Sequence, residues 1–139
     1  MPTNAERARE LPPGEELDAL FFETCWGWSK QSVQGHECVV NVWRTASGDY
    51  PNCGDTRVTT DAAACEAWVM RWCRENEFRL MVCDGLNHKN EFVAIASIRR
   101  KDGRDEEYFL ETAENHSLWH ALTRAAIAAA EAMGVNDGN

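Results

Sequence analysis

Residues 59–77, TTDAAACEAWVMRWCRENE, decide how the rest of the chain must be arranged. Thr59, Thr60 or Asp61 supplies an oxygen for a first-turn N–H that has no carbonyl partner, which marks a helix start. Asp61 also places negative charge at the positive end of the helix dipole. Cys65, Trp68, Val69, Trp72 and Cys73 recur at spacings of three and four and share one face, while Arg71, Arg74 and Glu75 fall largely on the other. Two tryptophans on one face of a short helix need a broad apolar partner, and a sheet is the expected one.

Working outward, residues 37–44 change period to two, with Cys38, Val40 and Val42 on one side and Val39, Asn41 and Trp43 on the other, which predicts a strand. Three further strands are expected at 78–84, 91–100 and 106–111. The last two are joined through Asp102-Gly103, a strong hairpin signal. A helix over 14–30 carries Glu15, Glu16 and Asp18 in its first turn and Leu17, Leu20, Phe21, Thr24, Cys25 and Trp28 on its apolar face. Gly27 near its end reads either as a point of close approach or as fraying. Residues 29–35 read as a turn-rich bridge and 45–57 as the longest irregular segment. The last helix starts near Asn115 or His116 and stops at Gly134, with an alanine run that permits close packing.

The order expected is therefore α-β-α-β-β-β-α: an α+β chain with a mostly antiparallel four-stranded sheet and three helices. Residues 1–12 are expected to be a flexible tail, 13–134 one domain, and 135–139 a second tail. Apolar residues on both sides of the strands predict that both sheet faces are at least partly covered.

The 139 residues suit one core, and the net charge of -9 argues against direct nucleic-acid binding or an anionic membrane surface. No apolar run reaches the length of a membrane span, and residues 1–14 lack the apolar centre of a signal peptide, so a cytoplasmic protein is expected. The six cysteines, at 25, 38, 53, 65, 73 and 83, form no CxxC pair and are read as free thiols that pack as small apolar residues.

Three segments in order resemble the phage ABA-sandwich domain, a family of small phage and prophage proteins. They are Leu17-Asp18-Ala19-Leu20 with Gly27-Trp28, then Thr59-Thr60-Asp61-Ala62-Ala63-Ala64 with Trp68, then Ser117-Leu118-Trp119-His120-Ala121-Leu122 leading into Ala125-Ala126. Together they span about residues 16–134. The resemblance implies an α/β/α sandwich and a phage or prophage origin, and it supplies no catalytic residues. The longer 45–58 segment and the charged hairpin near 99–107 depart from it.

No catalytic signature stands out, and no cofactor is expected. Acidic charge and the implied origin together predict a non-enzymatic binding protein that modulates host machinery in the bacterial cytoplasm. The most concrete form is a counter-defence, anti-CRISPR-like inhibitor of a host protein or ribonucleoprotein with a basic surface; oligomerisation is left open. Glu15, Glu16, Asp18, Asp105, Glu106, Glu107, Glu111 and Glu114 would supply charge complementarity. Trp26 and Trp43 are the tryptophans expected at an interaction surface, because six can hardly all be buried. A second reading is a nucleotide-sequestering binder using Arg99, Arg104 and an exposed tryptophan. A third is a metal-dependent enzyme using His116 and His120 at i and i+4, with His36 and Cys38 completing the ligands. Without the following Glu, the histidine pair is not the HExxH arrangement of a zinc protease. Asp84, His88 and Glu91 read as turn residues.

Overall fold

Asp61 starts the helix that residues 59–77 predict: its carboxylate accepts from the Ala64 N–H at 2.9 Å. The rod runs through α3 (Ala62–Cys65), a π-helical turn (Glu66–Met70) and α4 (Arg71–Glu75). Its apolar face is the one expected, with Cys65, Val69, Trp72 and Cys73 buried and Trp68 half-buried. The computed structural model describes residues 1–51, 54–102, 105–113 and 117–134, the side chains of 101–102 and 105–108 excepted.

The other elements are α1 (Asn4–Glu10), α2 (Glu15–Phe21) continued by a π-helical turn (Phe22–Trp26), β1 (Ser29–Gln34), β2 (Val39–Arg44), β3 (Arg79–Leu86), β4 (Phe92–Asp102), β5 (Asp105–Ala113) and α5 (Leu118–Met133). Gly27 closes the α2 rod in the left-handed region, φ 70°, with its N–H bonded to the Phe22 carbonyl. It is thus a helix stop, the role glycine fills without steric cost. Ser117 caps α5, accepting from the His120 N–H at 3.3 Å, and Gly134 ends it at φ 68°.

The α+β class and the antiparallel pairing hold, but the expected single four-stranded sheet does not. The strands form two sheets, β1–β2 and β3–β4–β5, and β1 occupies residues read as a bridge. Its sequence, SKQSVQ, hides the strand because both its faces are largely exposed and no apolar alternation is needed. Residues 1–12 also contain structure where a frayed tail is expected. In α1, Thr3 accepts from the Glu6 N–H, Ala8 is fully buried, and the Asn4 N–H donates to Glu131 on α5. The Arg124 guanidinium then donates to the carbonyls of Ala8, Arg9 and Leu11 at 2.8–3.2 Å, placing a cation on the negative end of α1. Among the described residues the rods therefore number four, not three, and the element order gains α1 and β1.

The β3–β4–β5 meander lays one face against α5. Ala94, Ala96 and Ile98 of β4 and Ala113 of β5 are buried there, opposite the buried Ala121, Ala125, Ala126 and Ala129. The alanines let helix and sheet approach closely, as their spacing predicts. The register Ile98↔Phe109 and Leu80↔Ile98 keeps the remaining apolar residues on the same side. The opposite face is only partly closed: Val93 is buried and Ile95 half-buried, whereas Met81 and Leu110 are 61% and 62% exposed. Among the described residues no helix is long and apolar enough to cross a membrane.

Candidate functional site

The α2 rod separates two depressions. On one flank a groove of about 460 Å³ is lined by Glu10, Glu16 and Glu23 with Arg7 at its side and Leu11 and Leu20 at its base. The spacing of Glu16 and Glu23 by two helical turns puts both carboxylates on the same side of α2, and Glu10 reaches in from the end of α1. On the other flank a cleft of about 390 Å³ lies between α2, the β1–β2 hairpin and residues 56–60. Its walls include Phe22 and Trp43, with Lys30 and Arg57 at the sides and Asp18 within. Ala19 contributes to both depressions, its small side chain leaving room on either side.

Asp18 is not a surface charge. It is 7% exposed, and its Oδ1 accepts from the Thr59 N–H at 2.9 Å and the Thr59 hydroxyl at 2.6 Å. Thr59 Oγ1 in turn accepts from the Gly14 N–H at 2.9 Å, so one hydroxyl ties the start of α2 to the lead-in of α3. Burial raises the Asp18 pKa above its usual value, the Thr59 hydrogen bonds oppose this, and the negative charges of Asp55 and Glu15 add to the rise. Glu15 remains exposed and lies 3.5 Å from Lys30, whose ammonium sits 5.5 Å from the centre of the Trp43 ring. Arg57 is held by Asp55 at 2.7 and 3.0 Å, which lowers the Asp55 pKa to about 2.

Trp26 and Trp43 are both half-buried packing residues. Trp43 meets Phe22 and Trp28 at ring-centre distances of 5.7 and 6.2 Å, and Trp26 meets Trp68 edge-on at 5.5 Å. The two π-helical turns supply Phe22, Trp26 and Trp68 to this cluster, and Arg71 lies over the rings of Trp26 and Trp68. Among the described residues the buried Trp26 indole N–H meets no hydrogen-bond acceptor.

The remaining expected positions scatter. Glu111 is buried at 8% exposure and paired with Arg9 at 2.7 Å, so it fastens β5 to α1. Asp105, Glu106 and Glu107 lie in β5, but their side chains fall outside the described residues, as do Glu114, Arg104 and His116 altogether. Arg99 sits across from Arg79 on the open face of the three-stranded sheet, where both line a depression with Met81 and Ser97. His120 is buried, its Nε2 3.3 Å from the Leu11 carbonyl; burial, with Arg124 adding, lowers its pKa to about 4. His36 and Cys38 are exposed in the connection between β1 and β2. Among the described residues no group of three or more His, Cys, Asp or Glu side chains converges as a metal site.

The described cysteines are free: Cys25, Cys65 and Cys73 are buried and Cys38 and Cys83 exposed, so the packing role fits three of them. Burial pushes the Cys65 and Cys73 thiols up to about 12, which leaves them inert. Cys53 lies outside the described residues.

Sequence reasoning missed Glu10, Glu23, Lys30, Phe22 and Arg57. Glu23 was legible from its seven-residue offset to Glu16, but Lys30 and Arg57 reach the cleft only through the hairpin and the 56–60 segment. No protein family matches the chain, and no curated protein or solved structure matches it.

Proposed function

We propose that this chain is a non-catalytic, acidic binding protein of phage or prophage type. It acts in the cytoplasm of a bacterial host by occupying a basic surface on a host protein or ribonucleoprotein, as a counter-defence inhibitor of the anti-CRISPR kind would. The observation that carries the binding chemistry is the α2 groove: Glu10, Glu16 and Glu23 share it with one cation, Arg7, over an apolar base. Such a surface attracts a basic partner from a distance and still offers apolar contact once docked. The net charge of -9 acts in the same direction. The origin and the counter-defence role rest on the resemblance stated above.

The test is capture of partners from bacterial lysate at graded ionic strength. A basic partner should be retained at about 0.05 M salt and released by about 0.5 M, as screening shortens the reach of surface charge. The double variant Glu16→Lys/Glu23→Lys should reduce retention by about tenfold or more. Retention indifferent to both salt and charge reversal would refute the reading.

A further inference from the structure

The cleft on the hairpin side of α2 carries a more specific signal than the groove. Asp18 is 93% buried by its 7% exposure, yet both of its hydrogen bonds fall on Oδ1. Oδ2 is therefore the acceptor left for a donor entering the cleft that Asp18 lines. The cations already there are committed elsewhere, Arg57 to Asp55 at 2.7 Å and Lys30 to Glu15 at 3.5 Å. Among the described residues neither cation hydrogen-bonds to Asp18, although the Arg57 charge acts on it through space, and Glu15 and Asp55 add negative charge around it. The aromatic wall supplies the second half of the chemistry. Trp43 already accepts a cation on its ring, the Lys30 ammonium at 5.5 Å, and Phe22 packs beside it.

We infer that this cleft receives one guanidinium group, the side chain of an arginine presented by the basic partner, paired with Asp18 Oδ2 and stacked on Trp43. A planar fork of donors matches a fixed carboxylate and an aromatic face better than a point-charge ammonium does. The Thr59 bonds hold the carboxylate in place before the ligand arrives, so little ordering is required on binding. An anionic ligand would meet Asp18 and Glu15 with both nearby cations already paired, which disfavours it. The identity of the arginine's owner rests on the function proposed above; the recognition chemistry does not.

The experiment titrates the intact chain with end-blocked Gly-Arg-Gly, with its citrulline counterpart, and with free L-arginine, following the Trp43 indole N–H by two-dimensional NMR. That resonance is assigned by its loss in Trp43→Phe. Blocked Gly-Arg-Gly should give a saturable shift with a dissociation constant of about 1–10 mM, the scale of one good contact set. Asp18→Asn keeps the Oδ1 acceptor for Thr59 and should weaken binding about tenfold, since it removes a charge-assisted bond. Trp43→Leu should weaken it in a parallel calorimetric titration. Equal binding of the citrulline peptide, an unaltered affinity in Asp18→Asn, or no saturable shift would each overturn the inference. Tighter binding of free L-arginine would overturn the side-chain assignment and mark a small-molecule site instead. The titration needs no host protein, so failed capture from lysate leaves it readable, and failed titration with capture intact removes only the arginine receptor.

Discussion

The two sheets of this chain are held in opposite ways. The β3–β4–β5 meander lies along α5 through a continuous seam of alanines and Ile98, all closed to solvent. The β1–β2 hairpin has no helix laid along it: most of its residues are exposed, and its attachment runs through Trp43 against Phe22 and Trp28. Many small contacts make a sheet part of the core. One large aromatic anchor, with the Lys30–Glu15 pair beside it, makes a sheet an appendage, and the cleft depends on that same anchor.

Breaking the seam should have the largest effect. Ile98→Ala removes a fully buried side chain from the central strand and should cost about 3 kcal/mol, seen as a lower urea midpoint for the whole molecule. Next, Trp43→Ala should cost about 2 kcal/mol and accelerate amide exchange across 29–44 while leaving β4 protected. Equal acceleration in both sheets would show that the hairpin belongs to the common core.

On the seam side, acid should act through His120. The folded-state pKa of His120, about 4, lies below its unfolded value of 6.5, so the neutral ring is the folded form. The stability it contributes is complete above the unfolded value and is lost as pH falls from about 6.5 toward 4, by about 1–2 kcal/mol after allowing for relaxation around the charged ring. His120→Gln should flatten that part of the stability profile; an unchanged profile would remove His120 as its source. The smallest effect belongs to the open face: Met81→Lys, at 61% exposure, should shift stability by under about 0.5 kcal/mol and reduce self-association in sedimentation experiments.

The same contrast explains what could be read from the sequence. Elements with a buried face announced themselves: the spacing of Cys65, Val69, Trp72 and Cys73, the alanine run of α5 and the alternation in β4 all place the right residues inside. The β1 strand and α1 were illegible because neither carries a full apolar period; α1 buries only Ala8. Apolar residues on both sides of β3–β5 suggested at least partial cover of both faces, and on the face away from α5 Val93 is buried while Met81 and Leu110 are exposed. Of the residues expected at a binding surface, Glu15, Glu16, Asp18 and Trp43 line the groove or the cleft. That Asp18 and Glu111 are held by Thr59 and Arg9 was not legible, because a carboxylate's type does not reveal which donor will meet it.

The Gly14–Thr59–Asp18 link has a consequence for the length of the chain between the sheets. Thr59 is pinned across 41 residues to Asp18, and Arg44 is fixed by pairing with Ser29. The segment between them therefore starts and finishes at fixed posts, whatever its own length. Doubling such a connection costs only about 0.6 kcal/mol in closure entropy. The neighbourhood of Gly48 and Asp49, both short of the cleft lining, is accordingly a port at which a reporter peptide or a second domain can be inserted while the α2 rod keeps its place.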